Sequence, residues 1–205
     1  MSDDGIHEHT WEGILQALEK LYGSVEPQHF AALPRYWEGG NNPLDGVSAY
    51  VADNPEHWHY IGFGLSDPLK GNLNSKSSGL GFELTFRLVR NSNDVHCPFN
   101  GINMLQNLAK YVVERQCVFS GYHYIPNGMP IFLNSPDMTA FVFSSDPELP
   151  EIGTPWGAVK FIQVLCITEK ELKWIEKHST EGFIKRYTEM SPLLISDLNR
   201  QSIIA

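Results

Sequence analysis

Cysteine is scarce in this chain. The 205 residues hold three, Cys97, Cys117 and Cys166, too few and too widely spaced for a disulfide framework or a CxxC zinc site. Basic residues are also in deficit, with 15 Lys and Arg against 24 Asp and Glu and a formal net charge of −9. Phosphate recognition rests on clustered cations, so neither nucleic acid nor an anionic membrane surface is expected as a partner. A basic protein would instead be steered toward the chain. Long apolar runs are missing too: the most apolar stretch, residues 161–167, is interrupted by Gln163 and is far too short to cross a bilayer. The first ten residues carry Asp3, Asp4 and Glu8 without an apolar core, so no secretory signal is expected there. A reduced, cytoplasmic setting fits these absences.

Catalytic motifs are absent as well. Gly64-Leu65-Ser66-Asp67-Pro68 lacks the second glycine of a nucleophile elbow. Gly79-Leu80-Gly81 lacks a third glycine and opens a strand pattern, not a helix, so it is no dinucleotide site, and no P-loop is present. Cys117 and His123 form no recognisable pair, and Cys166, inside an apolar run, reads as a small core residue. No enzymatic activity and no cofactor are expected.

What is present suits a packed domain: 42% hydrophobic and 19% charged residues, with 5 Trp, 8 Tyr and 11 Phe, a globular balance. Residues 1–10 are expected to be a flexible segment ahead of a domain over 11–205. Trp11, Ile14, Leu15, Leu18, Leu21 and Tyr22 recur at helical spacing, with Thr10 as N-cap. Stretches 47–51 and 58–63 read as neighbouring strands, and the small polar residues of 66–81 as a long mobile connection. Over 82–89, Phe82, Leu84, Phe86 and Leu88 alternate with Glu83, Thr85 and Arg87, the pattern of a half-buried strand. A second helix follows around residues 104–113, then short strands near 122–125, 130–133 and 140–144. Residues 158–167 read as a long buried strand. Thr168-x-x-Glu171 reads as a capping box opening a helix, with a short helix over 182–190 and a last strand over 193–198. Strands and helices come in clumps, which favours an α+β fold with a mixed, mainly antiparallel sheet flanked by helices.

Two constellations carry candidate chemistry. His57 and His59, two apart on a strand, point to one face and could share a metal ion. The next carboxylate, Asp67, lies eight residues beyond His59, and the alternative is a pair of histidines making ordinary hydrogen bonds. Asp67 and Glu83 read either as a turn former and a solvated acid, or as paired carboxylates gripping a cationic partner, with Tyr60 and Phe63 as apolar anchors.

Longer motifs narrow the field. They are Tyr36-Trp37-x-Gly-Gly with Pro43-Leu44-Asp45, and Pro55-Glu-His-Trp-His-Tyr-Ile-Gly-Phe-Gly-Leu-Ser-Asp67. With them go Ser78-Gly-Leu-Gly-Phe-Glu-Leu-Thr-Phe-Arg-Leu88 and Thr154-Pro-Trp-Gly-Ala-Val-Lys-Phe-Ile-Gln163. In this order they closely resemble the N-terminal domain of the Suppressor of Fused family, from about Trp11 to about Leu198. Animal members carry a second domain and restrain Gli transcription factors in Hedgehog signalling; this chain resembles the short, single-domain bacterial form. The resemblance implies a non-catalytic protein-binding domain that sequesters a partner polypeptide, and bacterial relatives suggest an immunity protein that neutralises a toxin, here a basic one. It also implies β-strand addition of the partner along residues 161–167. Val164, Leu165 and Cys166 would lie at the centre of that site, with Tyr60, Phe63, Asp67 and Glu83 on the same binding face. Without a second domain to complete the clamp, a different partner or a homo-oligomer would cover that face. The rival expectation is a metal-binding protein or metal-dependent enzyme using His57 and His59.

Overall fold

The computed structural model describes residues 3–67 and 76–204. Eight strands form one sheet: β1 (Gln28–Ala31), β2 (Gly46–Asp53), β3 (Glu56–Phe63), β4 (Ser77–Val89), β5 (Tyr124–Pro126), β6 (Met138–Ser145), β7 (Ile152–Thr154) and β8 (Gly157–Thr168). Their order is β1-β2-β3-β4-β8-β6-β5, with β7 paired to the start of β8. Every pairing is antiparallel except β4 with β8. The fold is the α+β arrangement expected from the clumped pattern, a mainly antiparallel sheet flanked by helices.

Alternation along the central strands sorts their side chains onto two faces. Trp58 and Tyr60 of β3, Phe82, Leu84, Phe86 and Leu88 of β4, and Ile162, Val164 and Cys166 of β8 meet helix α2 (Phe99–Arg115). Helix α2 buries Ile102, Leu105, Leu108, Ala109 and Val112 there, positions three and four apart. The opposite face is covered in two parts. Helix α1 (Asp3–Tyr22) lays Ile14 and Leu18 over Tyr50, Ile61, Phe63 and Phe161. Helices α3 (Glu169–Lys177) and α4 (Thr180–Met190) cover Ala140, Val142, Leu165 and Ile167.

Several expectations change. Helix α1 starts at Asp3, so Thr10 lies inside it and is no cap, and Leu15 points outward. The capping box of α3 does form: Thr168 Oγ1 accepts from the Glu171 amide at 3.3 Å, and Glu171 Oε2 accepts from the Thr168 amide at 2.8 Å. The connection expected over 66–81 is shorter, because Ser77 already belongs to β4; its middle, 68–75, lies outside the described residues. Strand β4 is not half-buried, since Glu83, Thr85 and Arg87 are each wholly inaccessible. Residues 130–133 form turns with an isolated bridge from Phe132 to Ser135, and 193–198 contribute only a single parallel bridge from Ser196 to Leu88. Edge strands β1 and β7, unforeseen in the sequence, are three or four residues long, too short to show periodicity.

The turn after β3 depends on Gly64. Its φ is +138°, and a Cβ there would sit 2.6 Å from the Pro43 carbonyl oxygen and 2.9 Å from the Asp45 nitrogen, both backbone atoms. Gly64→Ala is expected to cost about 1–3 kcal/mol in urea unfolding. Gly153→Ala, where nothing lies within 4 Å, is expected to stay within about 0.5 kcal/mol.

Candidate partner-binding site

Glu83 holds that turn in place. One carboxylate oxygen, Oε1, accepts from the Gly64 amide at 2.8 Å, the Ser66 amide at 2.9 Å and the Ser66 hydroxyl at 2.6 Å. The start of β4 then folds over the turn. The Leu80 amide donates to the Leu65 carbonyl at 2.9 Å, and Ser78 Oγ donates to the Ser66 carbonyl at 2.8 Å. Gly79, at φ +54°, lets the two backbones approach, for a Cβ there would lie 2.3 Å from the Asp67 carbonyl oxygen. Asp67 is buried as a result.

A second buried polar centre lies farther along the same face, between the apolar cluster under α1 and the one under α3 and α4. Arg87 stands opposite His59 across β3 and β4, and Thr85 stands opposite Gln163 across β4 and β8. Asp146, just past β6, reaches into this group. Arg87 grips it with both terminal nitrogens, Nη1 to Oδ2 at 2.8 Å and Nη2 to Oδ1 at 3.0 Å. Oδ2 also accepts from Thr85 Oγ1 at 2.7 Å, while Oδ1 accepts the Glu148 and Leu149 amides at 2.9 and 3.0 Å. Arg87 further donates to Gln163 Oε1 and to Glu148 Oε2.

His59 completes the chain. Its Nε2 lies 3.1 Å from Asp146 Oδ2 and its Nδ1 lies 2.7 Å from the Tyr22 hydroxyl. A carboxylate only accepts, so Nε2 carries the proton and Tyr22 donates to Nδ1. Burial, reinforced by the positive charge of Arg87 and opposed by Asp146, lowers the His59 pKa to about 4. Burial pulls the Asp146 carboxyl upward, but His59 and the Arg87 guanidinium outweigh it and hold the group well below the usual carboxylate range. Burial also raises the Tyr22 hydroxyl. A neutral imidazole with both nitrogens engaged, a carboxylate neutralised by Arg87 and a phenol held protonated offer neither nucleophile nor free base. Their evident work is docking: Tyr22 also stacks on Tyr50 at 4.4 Å, fixing the end of α1 to the sheet.

The seven residues expected to contact a partner do not converge on an open surface. Tyr60, Val164 and Cys166 face α2, where Tyr60 donates to the Pro98 carbonyl at 3.0 Å. Phe63 and Leu165 face the other side, Phe63 against Trp11 at 5.1 Å. Glu83 and Asp67 belong to the turn. All seven are buried, and burial pushes the Cys166 thiol up to about 12, which makes it inert at neutral pH. Strand β8 is paired on both sides, with β4 through Val164 and with β6 from Ile162 to Thr168. Beyond Val164 the β4 side is filled by Ser196, which accepts the Cys166 amide on Oγ at 3.2 Å. Its own amide donates to the Arg87 carbonyl at 2.8 Å, and its carbonyl accepts from Val89 at 3.0 Å.

The histidine pair divides its duties. His57 donates from Nδ1 to the Pro55 carbonyl at 2.7 Å, and the two ring centroids are 6.4 Å apart. A shared metal would have to break His59 away from Tyr22 or Asp146. Among the described residues no group of three His, Cys, Asp or Glu side chains could hold a metal. Sequence reasoning passed over Asp146 and the pairing of Arg87, and placed Tyr22 only in the apolar stripe of the first helix, although Gln163 interrupting an apolar run was a visible signal of a polar centre.

Two outcomes test the network. Folded His59 stays neutral down to about pH 4, whereas an unfolded histidine binds its proton near 6.5, so the unfolded state takes up more protons in that window. Stability is therefore expected to fall as pH drops from about 6.5 to 4, by about 3 kcal/mol from this group, and His59→Gln should flatten that slope in pH-dependent urea melts. Arg87→Met leaves Asp146 buried without its cation and is expected to cost about 3–5 kcal/mol. Arg87→Lys should not restore it, because one ammonium cannot reproduce the two-pronged grip.

Comparison with known proteins agrees with the geometry. A protein-family model described as Suppressor of fused protein (SUFU) matches residues 40–201. The human Suppressor of fused homolog is 32% identical over 217 residues, covering 98% of this chain and 44% of the human protein, so the chain spans less than half of that relative's length. A chain from the crystal structure of the Sufu–Fu complex is 28% identical with a TM-score of 0.83, covering 93% of this chain and 90% of that one. Drosophila Suppressor of Fused gives 26% identity and a TM-score of 0.85 over 94% of this chain and 50% of that one. A homolog from Neisseria gonorrhoeae shares the fold at 20% identity and a TM-score of 0.66. The chain belongs to the Suppressor of fused family.

Proposed function

We propose that this chain is a non-catalytic binding domain that sequesters a partner polypeptide. The observation that carries the reading is the match to a chain of the Sufu–Fu complex, over 93% of this chain and 90% of that one: the folding unit of a protein found in a protein complex is present here almost whole. The chemistry agrees. The histidines at 57 and 59 and the thiol of Cys166 are buried, which suits structural work and not turnover. The net charge of −9 favours a basic partner, and a toxin that binds phosphate would be one, which makes the chain an immunity protein of the bacterial type. Three free cysteines fit a reducing cytoplasm.

Strand addition beside Val164, Leu165 and Cys166 has a stated requirement. The slot on the β4 side of those residues is occupied by Ser196, so a partner strand there must displace residues 193–196. The test is capture by the tagged chain from its source lysate, followed by calorimetry with the purified partner. A single basic protein binding one to one, more weakly at 0.5 M salt, is expected, and co-expression of the chain should relieve any growth inhibition that protein causes. Failure of any stoichiometric partner to co-purify would sink the sequestration reading, and binding without relief would sink the immunity role.

A further inference from the structure

We propose that the groove between α2 and the turns over 125–134 is a second binding site, which takes an extended, uncharged stretch of another polypeptide. It is independent of the sequestration reading above. The groove has a volume of about 670 Å³. Its floor is apolar, built from Met104, Leu108, Phe132 and Phe141, all buried. Its rim is amide: Asn100, Asn103 and Asn107 line the α2 side and Asn127 and Asn134 the other, all five exposed. Asn127 donates from Nδ2 to the Met129 carbonyl at 2.8 Å; among the described residues none of the other four side chains has a partner within the chain. No Asp, Glu, Lys, Arg or His lines the groove, which is unusual placement in a chain carrying −9. Leu133 at the lip is fully exposed. An adjoining depression, lined by Tyr111, Tyr122 and Tyr124 with the exposed His123 among them, continues the aromatic surface outside the groove.

The occupant follows from the rim chemistry. A carboxamide both donates and accepts, so it pairs with a group that does the same. The main chain of an extended peptide offers a free N–H and C=O at every residue, whereas a helix has already used its own. Asn100, Asn103 and Asn107 share one face of α2, about 4.5 and 6 Å apart along the axis. Same-side groups of an extended chain repeat at about 6.6 Å, a near match to the wider interval. A sugar would need an open ring to stack on between the amides, and the rings of the floor there, Phe132 and Phe141, are buried; the exposed Tyr111 stands only at the end of the groove. Strand β5 beside the groove has three residues, one of them Pro126 without an N–H, so it is a poor template for sheet extension. The amides take over that role. With no charge in the lining, binding is insensitive to salt, which separates it from capture of a basic partner by the acidic chain.

The test titrates a pool of end-blocked octapeptides made of Gly, Ala, Val, Leu, Ile, Phe, Ser and Asn into the 15N-labelled chain. The side-chain amide resonances of Asn103 and Asn107 are expected to shift, with equal affinity in 50 and 500 mM NaCl. Asn103→Leu and Asn107→Leu, both at exposed positions, should each weaken binding at least tenfold while leaving the circular dichroism spectrum unchanged. The same pool N-methylated at alternate residues should lose at least tenfold. Equal binding of the N-methylated pool, shifts confined to other surfaces, displacement by a malto-oligosaccharide pool, or no shift at millimolar peptide would each overturn the proposal.

Discussion

The paired grip of Arg87 on Asp146 is the interaction on which the rest of the structure is arranged. A guanidinium at the middle of a sheet face, wholly shut from solvent, is costly to desolvate and is tolerated only when its charge is matched and most of its donors are used. Asp146 supplies the charge, and Gln163 and Glu148 take further donors from the two terminal nitrogens, while Nε has no hydrogen-bond partner among the described residues. Replacing such a pair by apolar groups is often neutral for stability, so its value lies more in fixing register than in adding free energy. The partners come from five places in the chain: His59 from β3, Arg87 and Thr85 from β4, Asp146 from just past β6, Gln163 from β8, and Tyr22 from α1. A one-residue slip of any of these strands would turn its polar member to the opposite, apolar face.

The same logic recurs around the molecule at smaller scale. Gln163 spends its amide on the carbonyls of Leu193 and Leu194, at 2.9 and 2.8 Å, which holds the chain's last segment beside the sheet. Glu171, already used in the cap of α3, also binds Arg200 through two nitrogens and accepts the Ile203 amide. Glu83 does for the turn after β3 what Asp146 does for the centre. In each case one buried side chain, a carboxylate at 83, 146 and 171 and a carboxamide at 163, ties together segments distant in sequence, so apolar clusters that would tolerate sliding are given one alignment.

Much of the architecture was legible because it follows from periodicity: the stripe on α2, the hairpin of β2 and β3, the capping box at Thr168 and the apolar run of β8. The family was legible because its motifs are long and ordered. What misled was the assumption that a polar residue alternating with apolar ones faces water. Glu83, Thr85 and Arg87 look solvated in one dimension, since the partners that justify burying them lie elsewhere in the chain: the turn at Gly64 and Ser66 for Glu83, and Asp146, about 60 residues away and in no pattern of its own, for Thr85 and Arg87. The same blindness affected the candidate site. Its residues were grouped by motif, yet Tyr60 and Phe63, three apart on a strand, necessarily point to opposite faces.

Covering both faces of the sheet with helices restricts where any partner can bind. The side chains of the central strands are enclosed by α2 on one side and by α1, α3 and α4 on the other, and β8 lies inside the sheet with no free edge over its centre. Contact through those strands requires an occupied slot to empty, which sets the hydrogen bonds of residues 193–196 against those a partner strand would offer. Because main-chain hydrogen bonds exchanged for main-chain hydrogen bonds nearly cancel, the balance falls to side chains. Leu194, 3% exposed and held at φ +52°, lies in an uncommon conformation for a branched residue. Relief of that strain favours departure of the segment, while three side-chain holds oppose it: Gln163 on the carbonyls of Leu193 and Leu194, the Tyr187 hydroxyl on the Ile195 carbonyl at 2.9 Å, and Ser196 Oγ on the Cys166 amide. Exchange at the slot therefore turns on a contest between local backbone strain and these buried polar holds, of which the Gln163 amide is itself positioned by Arg87.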